Sequence, residues 1–224
     1  MKLAIIAATG GVGQQLLRQA LDAGHDVTAV ARNPAKLPAA QRQARIVTAD
    51  LADPDPAALE AAIAGTDALL SGLGPAANSS AGIAARGTRA VAAAMHGAGV
   101  RRLVAISAAP VGTVPSPGRP APPKHDPGDG FFMRHLGAPF ARAAFGKVYA
   151  DLAAMEDLLR DSDLDWTVIR PPKLTDKPQT GHYRTATGQN VRGGFSVPRA
   201  DVAHLMLAVL GRPDAIGQVI GVAS

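Results

Sequence analysis

The chain has 224 residues, of which 47% are hydrophobic and 4% aromatic, and its formal net charge is +5. This length and apolar content predict a globular protein whose core is built mainly from aliphatic side chains. Because the chain has no cysteine, disulfides, thiolate metal sites and cysteine nucleophiles are excluded.

The excess positive charge is scattered and forms no long basic run. One tryptophan and two tyrosines offer few surfaces on which bases could stack, so nucleic-acid binding is disfavoured and a mild attraction for small anions is favoured. No apolar stretch reaches the about 18 residues of a membrane span, and the opening residues predict a strand instead of a signal peptide. We therefore expect a cytoplasmic monomer or homodimer that acts on a small molecule.

Short runs of branched aliphatic residues alternate with longer runs rich in alanine and leucine. The predicted strands are 2–7, 26–31, 44–48, 68–71, 102–107, 165–170 and 218–222. The predicted helices are 11–23, 55–64, 80–98, about 140–161 and about 199–211. Fully apolar strands suit a sheet covered on both faces. The alternation predicts an α/β fold with a doubly wound parallel sheet and right-handed crossovers.

Several element boundaries have a chemical cause. Asp53 and Pro54 supply a capping carboxylate and a fixed φ at the start of the second helix. Gly24 and Gly99 follow helices, where a left-handed cap is expected. The segment 39–44 is too short and polar for a crossover helix, so we expect a reduced connection there.

Residues 108–130 are rich in proline and glycine and predict a long loop after the fifth strand. A linker between two domains is the alternative, but the alternation of helix and strand resumes beyond it. We therefore expect one domain over 1–224, with this loop as a flexible flap. Residues 171–198 predict short strands and turns on the substrate side.

The stretch AIIAATGGVG, residues 4–13, combines a strand, a glycine cluster and the start of a helix. Backbone N–H groups and the helix dipole at such a junction stabilise a pyrophosphate, although a plain strand-to-helix turn is the alternative. Ala7 stands where the first glycine of such a loop is usual, and we expect its φ to stay negative so that its methyl group is tolerated. The candidate phosphate-binding residues are Thr9, Gly10, Gly11, Val12 and Gly13.

The residues after the second and third strands indicate which dinucleotide is bound. An arginine after the second strand accommodates the 2′-phosphate of NADP, whereas an acid there binds the ribose of NAD. Arg32 and Lys36 fill this region without an acid between 27 and 43, which favours NADP(H) over NAD(H). Two solvated surface cations are the alternative. Asp50 and Leu51 follow the third strand and are candidates to contact the adenine.

The chain resembles the atypical short-chain dehydrogenase/reductase superfamily, in particular its NAD(P)H-binding branch, which includes biliverdin reductase B (flavin reductase). AATGGVGQQLL, VARNPAKL, TADLAD and especially RPPKLTDKPQTG support the resemblance, which spans nearly the whole chain. It implies a Rossmann-like fold, NADPH as cofactor and a small planar substrate such as a flavin. It also implies cofactor contacts, beyond those above, from Leu73, Gly74, Ile106, Lys173 and Leu174.

The catalytic signals are weaker than the cofactor signals. Most short-chain dehydrogenases need Tyr-x-x-x-Lys, but Ala153 and Thr187 stand four residues after Tyr149 and Tyr183. Hydride transfer to a flavin requires mainly stacking, orientation and exclusion of water. Ser107 is the candidate proton donor, through a water molecule, or else it forms a hydrogen bond to the cofactor or at the strand end.

The remaining candidate residues give weaker signals. Lys173 is expected to bind the nicotinamide amide or an anionic substrate tail, or to be an exposed lysine without a role. Four acids of the fourth helical run are interpreted as a solvated face: Asp151, Glu156, Asp157 and Asp161. Phe131, Phe132 and Met133 are candidates to cover the substrate or to pack in the core. The histidines are too dispersed for a metal motif.

Three functions fit these observations. The first is an NADPH-dependent reductase of a flavin or a similar planar acceptor. The second is an NADP(H)-binding redox sensor of the NmrA type that turns nothing over, which the missing Tyr/Lys pair suits equally. The third is an enzyme resembling nucleotide-sugar epimerases or dehydratases, with a displaced acid–base pair.

Overall fold

The first strand, Lys2–Ile6 (β1), is apolar on both faces because it lies in the middle of the molecule. Leu3 and Ile5 face one hydrophobic cluster, and Ala4 and Ile6 face another on the opposite side of the sheet. The computed structural model describes residues 1–130 and 133–224.

Within these described residues, the central sheet has eight strands in the order β3-β2-β1-β4-β5-β6-β10-β8. The strands β1 to β6 and β10 run parallel, and β8 pairs antiparallel with β10 at the edge. Two further strands, β7 and β9, form a separate parallel pair. The bounds after β1 are β2 Asp26–Ala31, β3 Arg45–Thr48, β4 Ala68–Ser71, β5 Arg102–Ile106, β6 Asp165–Arg170, β7 Lys173–Thr175, β8 Arg184–Thr187, β9 Ser196–Pro198 and β10 Gln218–Ala223.

Helices cover both faces of this sheet. Their bounds are α1 Gly11–Asp22, α2 Pro56–Ile63, α3 Ile83–Ala98, α4 Ala138–Arg160 and α5 Arg199–Ala208. Side chains of α1 and α5 fill the cluster around Leu3, and those of α2, α3 and α4 fill the cluster around Ile6. This arrangement confirms the predicted doubly wound, Rossmann-like α/β fold.

Some predicted boundaries shift for local reasons. The N-cap of α2 is Asp55, which accepts hydrogen bonds from the N–H groups of Ala57 and Ala58 at 3.0 and 3.3 Å. The prediction of Asp53 and Pro54 was therefore wrong, and the helix begins at the next Asp-Pro pair, Asp55 and Pro56. The third helix begins at Ile83, later than predicted, because Gly82 before it has a φ of 99°. The connection between β2 and β3 is reduced to two short 3₁₀ turns, as expected.

The Pro/Gly-rich loop is tethered at several points in the described conformation. Its Gly118 N–H donates to the Asp157 carboxylate at 2.8 Å. Asp126, only 3% exposed, accepts from the N–H groups of Gly128 and Asn190 at 2.9 and 2.8 Å. The loop therefore contacts both α4 and the turn before β9, and its mobility stays a prediction.

Phe131 and Phe132, the candidate cover of the substrate, lie outside the described residues. The backbone of Met133 begins a π-helical turn, Met133–Gly137, ahead of α4. Among residues 1–130 and 133–224, the helices are too short or too polar to cross a bilayer.

Candidate cofactor and substrate site

The turn after β1 has an unusual backbone at Ala7. Its φ is 58°, and among the described residues it is the only one other than glycine with a positive φ. The expected negative φ was therefore wrong. The turn points the Ala7 carbonyl back to accept the Gly10 N–H at 2.9 Å, while the Ala8 N–H donates to Val30 on β2. The loop thus keeps the tight bend that a glycine usually makes, at the cost of backbone strain.

Glycines allow the backbones of β1, α1 and β4 to approach one another closely at this turn. A Cβ atom on Gly13 would lie 2.2 Å from the Ala7 carbonyl oxygen, so any larger residue would displace α1 from β1. Gly72, just after β4, also has little room, although more than Gly13, since its Cβ would approach the Gly13 nitrogen at 3.1 Å. The N-terminus of α1 is in this way packed against the ends of β1 and β4.

The first turn of α1 contains no acidic residue, and its N-cap is Gly10 with extended backbone. The first N–H groups of a helix have no intrahelical partner and favour an anion. Gly11 and Val12 lie in this turn, where Val12 is 5% exposed and packs in the core. The geometry matches that of a phosphate-binding helix start.

A cleft of about 390 Å³ opens beside this helix start, at the carboxyl ends of β1 to β4. Eight of the predicted cofactor-binding residues line it: Thr9, Gly10, Arg32, Lys36, Asp50, Leu51, Leu73 and Gly74. A Cβ atom on Gly74 would meet nothing within 4 Å, so the cleft is open at that point. In an open α/β sheet, this crevice is where ligands bind.

Positively charged side chains outnumber negatively charged ones in the lining of the cleft. Arg32 and Lys36 are exposed, and Asp50 is the only carboxylate among the lining residues that the structure describes. One Asp50 oxygen accepts the Ala52 N–H at 2.9 Å and so fixes the turn after β3. Leu51 and Leu73, 6% and 7% exposed, form the apolar wall. The cleft therefore offers two cations at one end and an apolar surface with a carboxylate beside it.

The other predicted site residues lie further along the sheet edge. Ile106 ends β5 in the core, and Ser107 follows it at 6% exposure. Lys173 is exposed and opens β7, opposite Ser196, while Leu174 packs partly against the core. These four residues do not line the 390 Å³ cleft.

Ser107 belongs to a buried ionic network that the sequence did not reveal. Its hydroxyl donates to Oε1 of Glu156 on α4 at 2.7 Å. Arg170, at the end of β6, binds both oxygens of the same carboxylate, with Nε at 2.8 Å from Oε1. Arg160 adds a further bond to Oε2 at 2.5 Å. Because its proton is directed at Glu156, Ser107 in this conformation fixes the end of β5 and does not point a free donor at the cleft.

The acidic residues of α4 are therefore not a solvated face. Glu156 is 1% exposed. Asp151 accepts from the N–H groups of Ala84 and Ala85 at 3.0 Å each and so caps α3 from a neighbouring helix. Of the four acids only Asp161 is exposed, so the solvated-face interpretation was wrong for Asp151, Glu156 and Asp157. The loop over residues 108–130 covers this side of α4. The spacing of residues along the helix does not reveal that a distant loop packs against it.

A further cation, Arg199, lies against the glycine turn at the start of α1. Its Nε atom is 2.7 Å from the position of a Cβ on Gly11, and its Nη1 pairs with Asp176 at 2.7 Å. Arg199 is the first residue of α5, nearly two hundred residues away in sequence, so no local motif could have indicated it.

Both tyrosines hold their protons more firmly than usual. Burial raises the pKa of Tyr149, and burial followed by the nearby Asp201 raises the pKa of Tyr183. The Tyr183 hydroxyl lies 2.7 Å from Nδ1 of His204. A Tyr/Lys dehydrogenase needs the opposite shift, towards a lower pKa. Neither tyrosine therefore matches that role.

The doubly wound sheet with a glycine turn at the start of α1 defines a Rossmann-like protein. Residues 7–213 match the family described as NAD(P)H-binding, and the chain belongs to this family. The expected membership of an NAD(P)H-binding branch is thereby confirmed.

Solved structures with the same fold include several oxidoreductases. The anaerobilin reductase ChuY of Escherichia coli O157:H7 is 25% identical, with a TM-score of 0.76 over 100% of this chain and 97% of that one. A short-chain dehydrogenase/reductase of Veillonella parvula in complex with NADP is 17% identical, with a TM-score of 0.78 over 100% and 94%. The oxidoreductase YlbE of Lactococcus lactis is 21% identical, with a TM-score of 0.77 over 100% and 91%.

Proposed function

We propose that this protein is an NADPH-dependent oxidoreductase that transfers hydride to a flavin or a similar small planar acceptor. The observation that supports it most is the cleft of about 390 Å³, which joins the start of α1 to Arg32 and Lys36. A dinucleotide lying along the carboxyl ends of the strands would meet, in turn, an anion site, a cationic site and an apolar wall.

The residues present fit NADPH well. The pyrophosphate would bind at the acid-free first turn of α1, near Arg199. Arg32 and Lys36 would hold the 2′-phosphate, and the second oxygen of Asp50 would accept from the adenine amino group above Leu51. When bound, NADPH supplies the hydride.

The protein's own residues would mainly bind, orient and exclude water. Four residues would border the nicotinamide half of the cofactor: Ile106 at the end of β5, Ser107 just after it, and Lys173 and Leu174 on β7. The Glu156 network holds the Ser107 backbone in place. Because the Ser107 hydroxyl is directed at Glu156, the proton that accompanies the hydride would come from solvent.

The similarity to ChuY, described as an anaerobilin reductase, supports a planar conjugated acceptor. A flavin presents the same flat, electron-accepting surface. Cytoplasmic location and a monomeric or homodimeric state belong to the same proposal, and fractionation and sedimentation would test them.

Arg32→Glu tests the cofactor assignment. It should raise the Kd of NADPH at least about 10-fold, because charge-assisted bonds to a phosphate contribute about 1.5–3 kcal/mol. The Kd of NADH should change less than about 3-fold, since NADH has no 2′-phosphate. Arg89→Glu, at an exposed position of α3 outside the cleft, is the matched control. Equal losses for NADPH and NADH would contradict the assignment.

The acceptor is tested by following NADPH oxidation with FMN, FAD, biliverdin and a quinone. Turnover with any of these supports the reductase. Tight NADPH binding without oxidation across the panel would favour the second candidate, an NADP(H)-binding regulator. That candidate is favoured by one observation, namely that the Ser107 hydroxyl is engaged by Glu156.

A further inference from the structure

A second cavity, of about 230 Å³, lies beyond the carboxyl ends of the later strands. It is formed by the end of the Pro/Gly-rich loop, the π-helical turn and the turn before β9. Its lining residues are Pro127, Asp129, Gly130, Arg134, His135 and Arg192. None of them belongs to the dinucleotide cleft.

This cavity is cationic. Two arginines line it against a single carboxylate, that of Asp129, which already accepts from Nδ2 of Asn190 at 3.0 Å. Nε of Arg134 is buried without a hydrogen-bond partner among the described residues. A buried donor without a partner is destabilising, so a ligand oxygen that accepted from it would be favoured. Arg192 is exposed at the rim.

The cavity adjoins the place where the reacting half of the cofactor would lie. A narrow pocket shares Asp129 and Gly130 with it and continues to Ala109, after β5, and Pro172, after β6. The same pocket is lined by Asn190, whose buried Oδ1 has no partner among the described residues. Polar groups therefore extend from the ends of β5 and β6 to Arg134.

We propose that this cavity binds the anionic group of the electron acceptor, a terminal phosphate or carboxylate, through Arg134 and Arg192. The inference rests on the proposed function and adds a site and a substrate class to it. The volume of about 230 Å³ is smaller than the roughly 300–1,000 Å³ of pockets that hold whole ligands. The cavity therefore suits the anionic end of a ligand substituent and not the ligand's ring system. Arginine is the side chain whose planar fork matches an oxyanion best. Lys173, which the sequence also offers as a partner for such a tail, does not line this cavity.

The experiment compares ligands that differ only in the anionic group. Binding to the NADP⁺-saturated protein is measured by flavin fluorescence for FMN against riboflavin, and by absorbance for biliverdin against its dimethyl ester. The anionic member of at least one pair should bind about 10-fold more tightly, as expected for one or two charge-assisted bonds. Discrimination by FMN identifies a phosphate, and discrimination by biliverdin identifies a carboxylate.

Arg134→Gln and Arg192→Gln should each remove most of that preference while changing the affinity for the neutral member less than about 2-fold. Arg89→Gln should retain the preference, and thermal melting checks that each variant is folded. Equal affinities within both pairs, no measurable binding of any of the four ligands, or equal losses for neutral and anionic ligands in the variants would overturn the proposal. Because the readout is binding, a preference without NADPH oxidation would refute the reductase and leave the anion site standing.

Discussion

Replacing Ala7 by glycine should stabilise the protein, although it removes a methyl group from the edge of the core. Ala7 has a φ of 58°, in the left-handed region that costs an L-residue with a side chain about 1–2 kcal/mol. Glycine is free of this cost but loses about 0.5–1 kcal/mol more backbone entropy on folding. The half-buried methyl contributes roughly 0.4 kcal/mol, half the value of a fully buried group. The net gain is therefore about 0.5 kcal/mol.

Ala8 supplies the matched control, because it is the next residue, is 0% exposed and has no positive φ. Ala8→Gly loses a buried methyl, about 0.8 kcal/mol, and also the backbone entropy of glycine. It should destabilise the protein by about 1.5 kcal/mol, so the two variants should differ by about 2 kcal/mol.

Urea unfolding followed by circular dichroism measures both free energies, and differential scanning calorimetry gives the melting temperatures. For a chain of this size, about 2–4 °C corresponds to 1 kcal/mol. We expect Ala7→Gly to melt about 1–2 °C above the unmodified protein and Ala8→Gly about 3–6 °C below it. If Ala7→Gly is destabilised as much as Ala8→Gly, the strain at Ala7 does not exist and the geometry of the turn must differ.

Two more predictions concern buried and titrating groups. Glu156→Gln should lower the free energy of unfolding by about 3–5 kcal/mol, because it leaves the buried Arg170 without its counter-charge. Asp214→Asn, at an exposed ion pair, should leave the melting temperature nearly unchanged, and similar effects of both would refute this reasoning. Because Tyr149 and Tyr183 have raised pKa values in the folded protein, their contribution to stability is complete below pH 10.0, their ordinary pKa, and falls above it. Tyr183→Phe should therefore flatten the fall in melting temperature above about pH 10, and an unchanged slope would contradict the shift.

The sheet was predictable from local pattern because its strands are short, apolar and separated by helices. β2, β4 and β6 were predicted with the bounds observed, and Gly24 and Gly99 end their helices at positive φ as expected. The antiparallel strand β8 was harder to predict from the sequence, because an exposed strand at the edge of a sheet lacks the apolar run of the central strands.

The candidate site was predictable only where its residues follow a strand closely in sequence. Arg32 and Asp50 follow β2 and β3, and parallel strands bring such residues to one edge. Arg199 and Glu156 come from distant helices, and their positions depend on tertiary packing that a single motif does not encode. The conformation of Ala7 was missed because propensity argues against a positive φ, and the packing of Gly13 and Val30 around the turn overrides it.

The contact of Arg199 with Gly11 also bears on how the chain is made. The amide side chain of Gln19 donates to the Ala200 carbonyl at 2.8 Å, so the first helix is covered by the last one. During synthesis the glycine turn leaves the ribosome well before the helix that covers it, because Gln19 and Ala200 are 181 residues apart. Pairing over such sequence separation slows folding. The apolar side of α1 therefore stays uncovered until α5 has been synthesised.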